Sequence, residues 1–277
     1  MATITRQAPV RPAPSGRAGF GGTLRSEFTK IGSVRSTYWT LLMLFAVSVG
    51  IGAAISALSA SGWSNTPPAD RTPFDATQLS IAALLILGQL VIVVPGALVL
   101  TAEYSTGMIR TSLTAMPRRT VVYAAKAVVF TVVALVVTFA AAFISFFLGQ
   151  ALLASTHDTA TLSQPNVLRA VVGSALYVTL CGLFAFAIGA IVRHTAGTIT
   201  AVIGLLFVIP ILVHLLPQSW YQDVTRWLPD AAGRALSVTV GPPPGHLFSA
   251  WNQFAVFAVY TAVLLVVGAV LFRKRDA

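Results

Sequence analysis

Charge is what this sequence has least of. Only 9% of its 277 residues are Asp, Glu, Lys or Arg, against about 25% in an ordinary soluble domain. So few charges cannot cover a water-facing surface, and a soluble globular fold is excluded. Cysteine is next: Cys181 stands alone inside an apolar run, which rules out an intramolecular disulfide and a cysteine-based metal cluster. Lysine occurs three times, followed by Ile31, Ala127 and Arg275, so the Gly-Lys-Ser/Thr loop that cradles nucleotide phosphates is missing. No His-Glu-x-x-His or Gly-x-Ser-x-Gly occurs either, which removes the usual zinc-protease and serine-hydrolase signatures. The four histidines, His157, His194, His214 and His246, are scattered. His214 reads as hydrogen-bonded to loop backbone rather than catalytic.

What remains is apolar: 56% hydrophobic residues and a mean hydropathy of +0.81. Crossing the hydrocarbon core takes about 20 mostly apolar residues in a helix, and six stretches qualify: Tyr38–Ala60, Leu79–Thr101, Ala124–Leu148, Ala170–Val192, Gly197–Leu216 and Trp251–Phe272. None alternates with period two, which selects helix over barrel strand. None carries a charge at its centre, where one costs roughly 3 kcal/mol. The expected fold is an all-α integral membrane protein with six transmembrane helices.

The net charge of +10 would point to nucleic acid in a soluble chain. Here the basic residues sit in short segments between apolar runs, so topology and lipid explain them and no nucleic-acid partner is expected. One set of alternate segments holds 14 Lys and Arg, and the other set holds 4, namely Arg71, Arg169, Arg226 and Arg234. The positive-inside rule then places both termini in the cytoplasm. All five tryptophans fall near span ends or in the 217–250 segment, as an interfacial belt requires. A first span cleaved as a signal peptide is disfavoured by its length and its 37-residue leader.

A single domain preceded by a short arm is expected. Residues 1–22, with three prolines, three arginines and four glycines, read as a disordered basic arm, and 23–277 as one six-helix transmembrane unit. Within 23–37, Leu24, Phe28, Ile31, Val34 and Tyr38 recur at helical spacing, with Arg25, Lys30 and Arg35 off that face. This is an amphipathic interfacial helix, either a plain lipid anchor or a lever toward a cytoplasmic partner. The connection 103–119 is long for a compact bundle. Gly107 breaks the preceding helix, Ile109, Leu113 and Met116 form a short apolar stripe, and Pro117 closes it. A short cytoplasmic helix with apolar and basic faces suits docking to another protein. The segment 217–250, with Trp220, Tyr221 and Trp227 and balanced charges, reads as short helices dipping into the outer interface, a re-entrant-like loop.

Coupled carriers usually place Asp, Glu or His near mid-membrane. Here the acids lie in loops or at span margins, Glu103 at a cytoplasmic end, so the energy for any transport must come from an attached ATPase. Against that background the sequence resembles the transmembrane subunit of an ATP-binding-cassette transporter of the exporter-type ABC-type-2 permease family, in its high-GC Gram-positive branch. The resemblance covers nearly the whole chain. It rests most on Glu103, Gly107, Arg110, Leu113, Pro117, Arg118 or Arg119 and Lys126, and on the leader Arg25-Ser26-Glu27-Phe28-Thr29-Lys30 followed by Val34-Arg35-Ser36-Thr37-Tyr38-Trp39.

The resemblance implies a plasma-membrane permease with no enzyme activity and no cofactor of its own, ATP and Mg belonging to separate nucleotide-binding subunits. The leader (Arg25, Phe28, Lys30, Ile31, Arg35) would be the connecting helix. Residues Glu103, Gly107, Ile109, Arg110, Leu113, Pro117 and Arg118 would form the coupling helix on the ATPase. A second permease chain, the same or a sister, would complete the transporter. The first, second and fifth spans would lie near the path, with Gln89 and Phe207 as candidate lining residues and an apolar or amphipathic cargo. For Gln89 an interhelical hydrogen bond is the plainer alternative, and Glu103 and Arg110 could instead pair with each other or with lipid headgroups. Two other readings stand beside this one: an accessory immunity or sensing protein that binds a peptide or lipid without moving it, and an intramembrane enzyme acting on lipid.

Overall fold

Long apolar runs with no water to bond their backbone have one solution short of a closed barrel, which is the helix. In the computed structural model, which describes residues 19–33, 35–67, 74–109, 114, 118–156, 159–239 and 247–274, the described residues are helical with short connections. A leader helix α1 (Phe20–Ser33) runs into α2 (Arg35–Asn65), followed by α3 (Ala76–Ser105), α4 (Arg119–Leu153), α5 (Val167–Val192) and α6 (Thr195–Val213). Two short helices, α7 (Gln218–Thr225) and α8 (Asp230–Ser237), precede the last long helix α9 (Ala250–Lys274). α2, α3, α4, α5, α6 and α9 are each long and apolar enough to cross a membrane. They contain the six stretches expected from sequence, except that α6 stops at Val213, short of Leu216. At 1.5 Å per residue the 35 residues of α4 reach about 50 Å, well beyond a hydrocarbon core of about 30 Å.

The centre of the bundle is α5. It packs against α3, α4, α6 and α9, and α2 closes the outside against α3 and α4. Small residues set how close these helices come. Gly96 of α3 lies against Gly182 of α5, so near that a Cβ at Gly96 would overlap the Gly182 carbonyl oxygen. Both α3 and α6 contain one wide π turn, at Leu84–Gly88 and Gly204–Val208. The second ends two residues before Pro210, whose ring has no N–H and crowds the carbonyl four residues back.

The two ends of the bundle differ. At the end away from α1, α8 is buried along Ala231, Ala232, Gly233, Ala235 and Leu236 and packs on α5 and α9. Asp75 ties this cap down: its carboxylate accepts from the Gln78 N–H at 2.9 Å, capping α3, and from the N–H and hydroxyl of Thr239 at 2.7 Å each. Burial pushes the Asp230 carboxyl up, partly offset by Arg234 one turn on. His214 hydrogen-bonds the Pro210 carbonyl oxygen at 2.7 Å, a backbone partner within α6 rather than in the loop where one was expected.

Candidate functional site

The α1 end holds a closed ring of four charges. Its members come from three helices that are distant in sequence. Glu27 sits on α1 three residues after Leu24 and four before Ile31, so helical spacing turns it inward with them. Glu103 sits in the last turn of α3, and Lys126 lies two turns into α4. The Lys126 ammonium donates to Glu27 Oε2 at 2.8 Å and to Glu103 Oε1 at 2.6 Å. Lys30 donates to Glu27 Oε1 at 3.0 Å and to the same Glu103 Oε1 at 3.1 Å. Lys126 is 2% exposed, Glu27 5% and Glu103 8%.

Two acids and two bases leave the ring neutral, the condition on which buried charge is tolerated. Burial pulls the Lys30 ammonium down, but its hydrogen bonds and attraction to Glu27 and Glu103 outweigh that and hold it above its ordinary value. Glu103 Oε2 is buried and has no hydrogen-bond partner among the described residues. The arrangement is a clamp: it fixes α1 to the ends of α3 and α4, the two helices that bracket the 106–118 connection.

Beside the ring lies an aromatic cluster. Leu100, Ile109, Tyr123, Phe186, Ala190 and Phe272 pack together with Tyr104 against them. The Tyr123 ring centroid is 5.1 Å from Phe186 and 5.7 Å from Phe272, and its hydroxyl donates to the Leu265 carbonyl. The Arg193 guanidinium lies 4.7 Å over the Tyr104 ring and donates to the Leu271 carbonyl. The cluster therefore joins the ends of α3, α4, α5 and α9.

Several expected site residues sit differently here. Gly107 takes φ +71°, the left-handed conformation that ends a helix with least strain in glycine, and its N–H bonds the Tyr104 carbonyl. Ile109, read as part of a docking stripe, is 2% exposed inside the aromatic cluster. Its apolar side chain packs within the chain rather than standing exposed. Arg118 is exposed at the start of α4. Arg110, Leu113, Met116 and Pro117 lie outside the described residues, as does Val34 of the leader stripe. Glu103 pairs with Lys30 and Lys126. Lys30, placed off the apolar face, folds inward to the ring, while Arg25, Phe28 and Arg35 are exposed and Ile31 is half-buried.

Gln89 accepts a 2.7 Å hydrogen bond from the Tyr177 hydroxyl and is 7% exposed. That is the interhelical bond named as its alternative, between α3 and α5. Phe207, in the π turn of α6, is half-buried and packs on the main core. The ring itself was not assembled from sequence. Two signals pointed to it: an acid on the inward face of an amphipathic helix, and a lysine inside an apolar helix. Each demands an opposite charge when buried.

Residues 63–277 match the model of a family described as a protein of unknown function, DUF2705. The chain belongs to this family. The matched region contains Glu103 and Lys126 but not Glu27 and Lys30, so it takes in the α3–α4 half of the ring. No curated protein matches the sequence.

Proposed function

We propose that this chain is the permease subunit of an ATP-driven exporter of the ABC-type-2 class. It would sit in the plasma membrane with both termini in the cytoplasm and move an apolar or amphipathic cargo. The observation that carries the reading is the charge ring. It couples a basic surface helix to the two span ends from which the 106–118 connection departs. A push on that connection would be delivered to α1, α3 and α4 together rather than dissipated in one helix. The aromatic cluster would pass it on to α5 and α9.

Two further features support the reading. Six helices are apolar enough to span, and their charges lie toward helix ends rather than at mid-span, which favours an external energy source. In this scheme α1 is the interfacial connecting helix, the 103–119 connection carries the coupling helix, and α7 with α8 caps the exit as a re-entrant-like outer segment. ATP and Mg are bound by a separate nucleotide-binding subunit, and a second permease chain completes the path.

The test is copurification of the tagged protein from native membranes in mild detergent, with mass spectrometry of its partners. A stoichiometric nucleotide-binding subunit is the expected result, and any sister permease would reveal a heterodimer. Absence of an ATPase under conditions that preserve other membrane complexes would overturn the reading in favour of an accessory protein that binds without transporting.

A further inference from the structure

A slot separates α1 from the two helices behind it. It has a volume of about 420 Å³ and is walled by Phe28 and Ile31 of α1, Tyr38 and Phe45 of α2, and Val136 and Ala140 of α4. That volume lies within the range of small-ligand sites, about 300–1,000 Å³. Its walls are apolar apart from the Tyr38 hydroxyl. Its depth follows from α2: Tyr38 to Phe45 is seven residues, about 10 Å along the helix axis. One end of the slot is thus level with the charged leader and the other lies well inside the apolar part of the bundle.

The mouth is cationic. Arg25 is one turn from Phe28 on α1, and Arg35 is one turn from Tyr38 on α2, spacings that put each arginine on the same helix face as a slot residue. Both arginines are exposed. The described acids at this end, Glu27 and Glu103, are turned inward and countered by Lys30 and Lys126, so their charge does not neutralise the mouth. An apolar slot beneath a cationic rim matches a molecule with an anionic head and a hydrocarbon tail.

We propose that this slot is a binding site for one anionic phospholipid, its acyl chain between α1, α2 and α4 and its phosphate at Arg25 and Arg35. The site does not depend on transport activity. Only the choice of leaflet rests on the cytoplasmic placement of α1 given above, where anionic lipid is concentrated. A bound lipid would complete the wall that α1 leaves open and hold the leader against α4.

Gly32 supplies the sharpest probe. It lines the slot, and a Cβ there meets nothing within 4 Å, so Gly32→Leu fills the space without a clash. Ala140→Phe fills it from the α4 side. The full chain is placed in nanodiscs of equal phosphatidylglycerol and phosphatidylcholine with matched acyl chains, then released for native mass spectrometry, with thermal unfolding as the folding control. Wild type is expected to retain phosphatidylglycerol several-fold over phosphatidylcholine. Gly32→Leu should lose the bound lipid with its melting temperature kept. An Arg25→Gln, Arg35→Gln double variant should retain lipid with the preference reduced to unity. Equal retention of both lipids by wild type would overturn the proposal. So would unchanged phosphatidylglycerol in both filling variants, or a change in oligomeric state at constant lipid count, which would make the slot a contact between copies.

Discussion

Replacing Lys126 by methionine keeps the stem of the side chain and removes one charge from the ring. Two contacts go with it, at 2.6 and 2.8 Å. At an effective dielectric of 20, each ammonium–carboxylate attraction at such a distance is worth about 6 kcal/mol before desolvation. Removing Lys126 also recovers its own desolvation cost, several kcal/mol. The remainder is Glu27 and Glu103 facing each other with Lys30 as their shared counter-charge, a buried net charge of minus one. Breaking one partner of a buried pair costs about 3–5 kcal/mol, and that is the loss expected here. The side chains of Glu27 and Glu103 are only 6% and 11% exposed, so solvent does little to screen it. Adding Glu27→Gln restores neutrality, leaving Glu103 with Lys30 at 3.1 Å, and should recover most of the loss. The assay is equilibrium unfolding in detergent micelles for wild type, both single variants and the double variant. A Lys126→Met protein within 1 kcal/mol of wild type, or a double variant whose loss equals the sum of the singles, would refute the coupled-ring reasoning.

Three other perturbations address separate parts of the fold. Gly96→Val should force α3 away from α5 at the Gly182 carbonyl and destabilise by about 1–3 kcal/mol, read as a lower melting temperature with the same helix content by circular dichroism. Tyr177→Phe removes the donor to Gln89. It should cost about 0.6 kcal/mol, the average for an interhelical bond in a membrane protein; a loss of transport without a loss of stability would instead place Gln89 on the path. The Lys30 ammonium is held above its ordinary 10.5, so the folded state keeps that proton longer than the unfolded chain. Its contribution is therefore complete below 10.5 and declines as pH rises through the folded value. The stability gap between wild type and Lys30→Met should be flat from neutral pH to about 10 and narrow above it.

The spans were legible because a bilayer demands long uninterrupted apolar helices, and no other pattern in the chain competes with that signal. Most boundaries moved because helices run past the apolar stretch, as α2 does from Tyr38 back to Arg35 and α4 from Ala124 back to Arg119, whereas α6 ends early, at Val213. Gly107 was legible for a local reason: its turn needs a left-handed residue. The ring was not, because hydropathy reads each helix alone, whereas Glu27, Glu103 and Lys126 meet only after α1 folds back on the bundle. Ile109 shows the same limit from the other side. Spacing identifies an apolar face but not what covers it, and here Tyr123, Phe186 and Phe272 do. Gln89 stands out in sequence as polar in an apolar helix, but which neighbour it bonds is not legible there; the structure supplies that partner, Tyr177.

The most direct test concerns where the 103–119 connection lies. Thr114 is exposed, and the only native thiol, Cys181, is buried, so a Thr114→Cys, Cys181→Ala protein offers one reactive position. In native membranes carrying a thiol-linked photo-crosslinker, the expected product is a single adduct between this chain and a nucleotide-binding ATPase subunit. It should form while the cysteine stays closed to an impermeant reagent added from outside the cell. Labelling of Thr114→Cys from outside, or crosslinking that never captures an ATPase, would contradict the permease assignment.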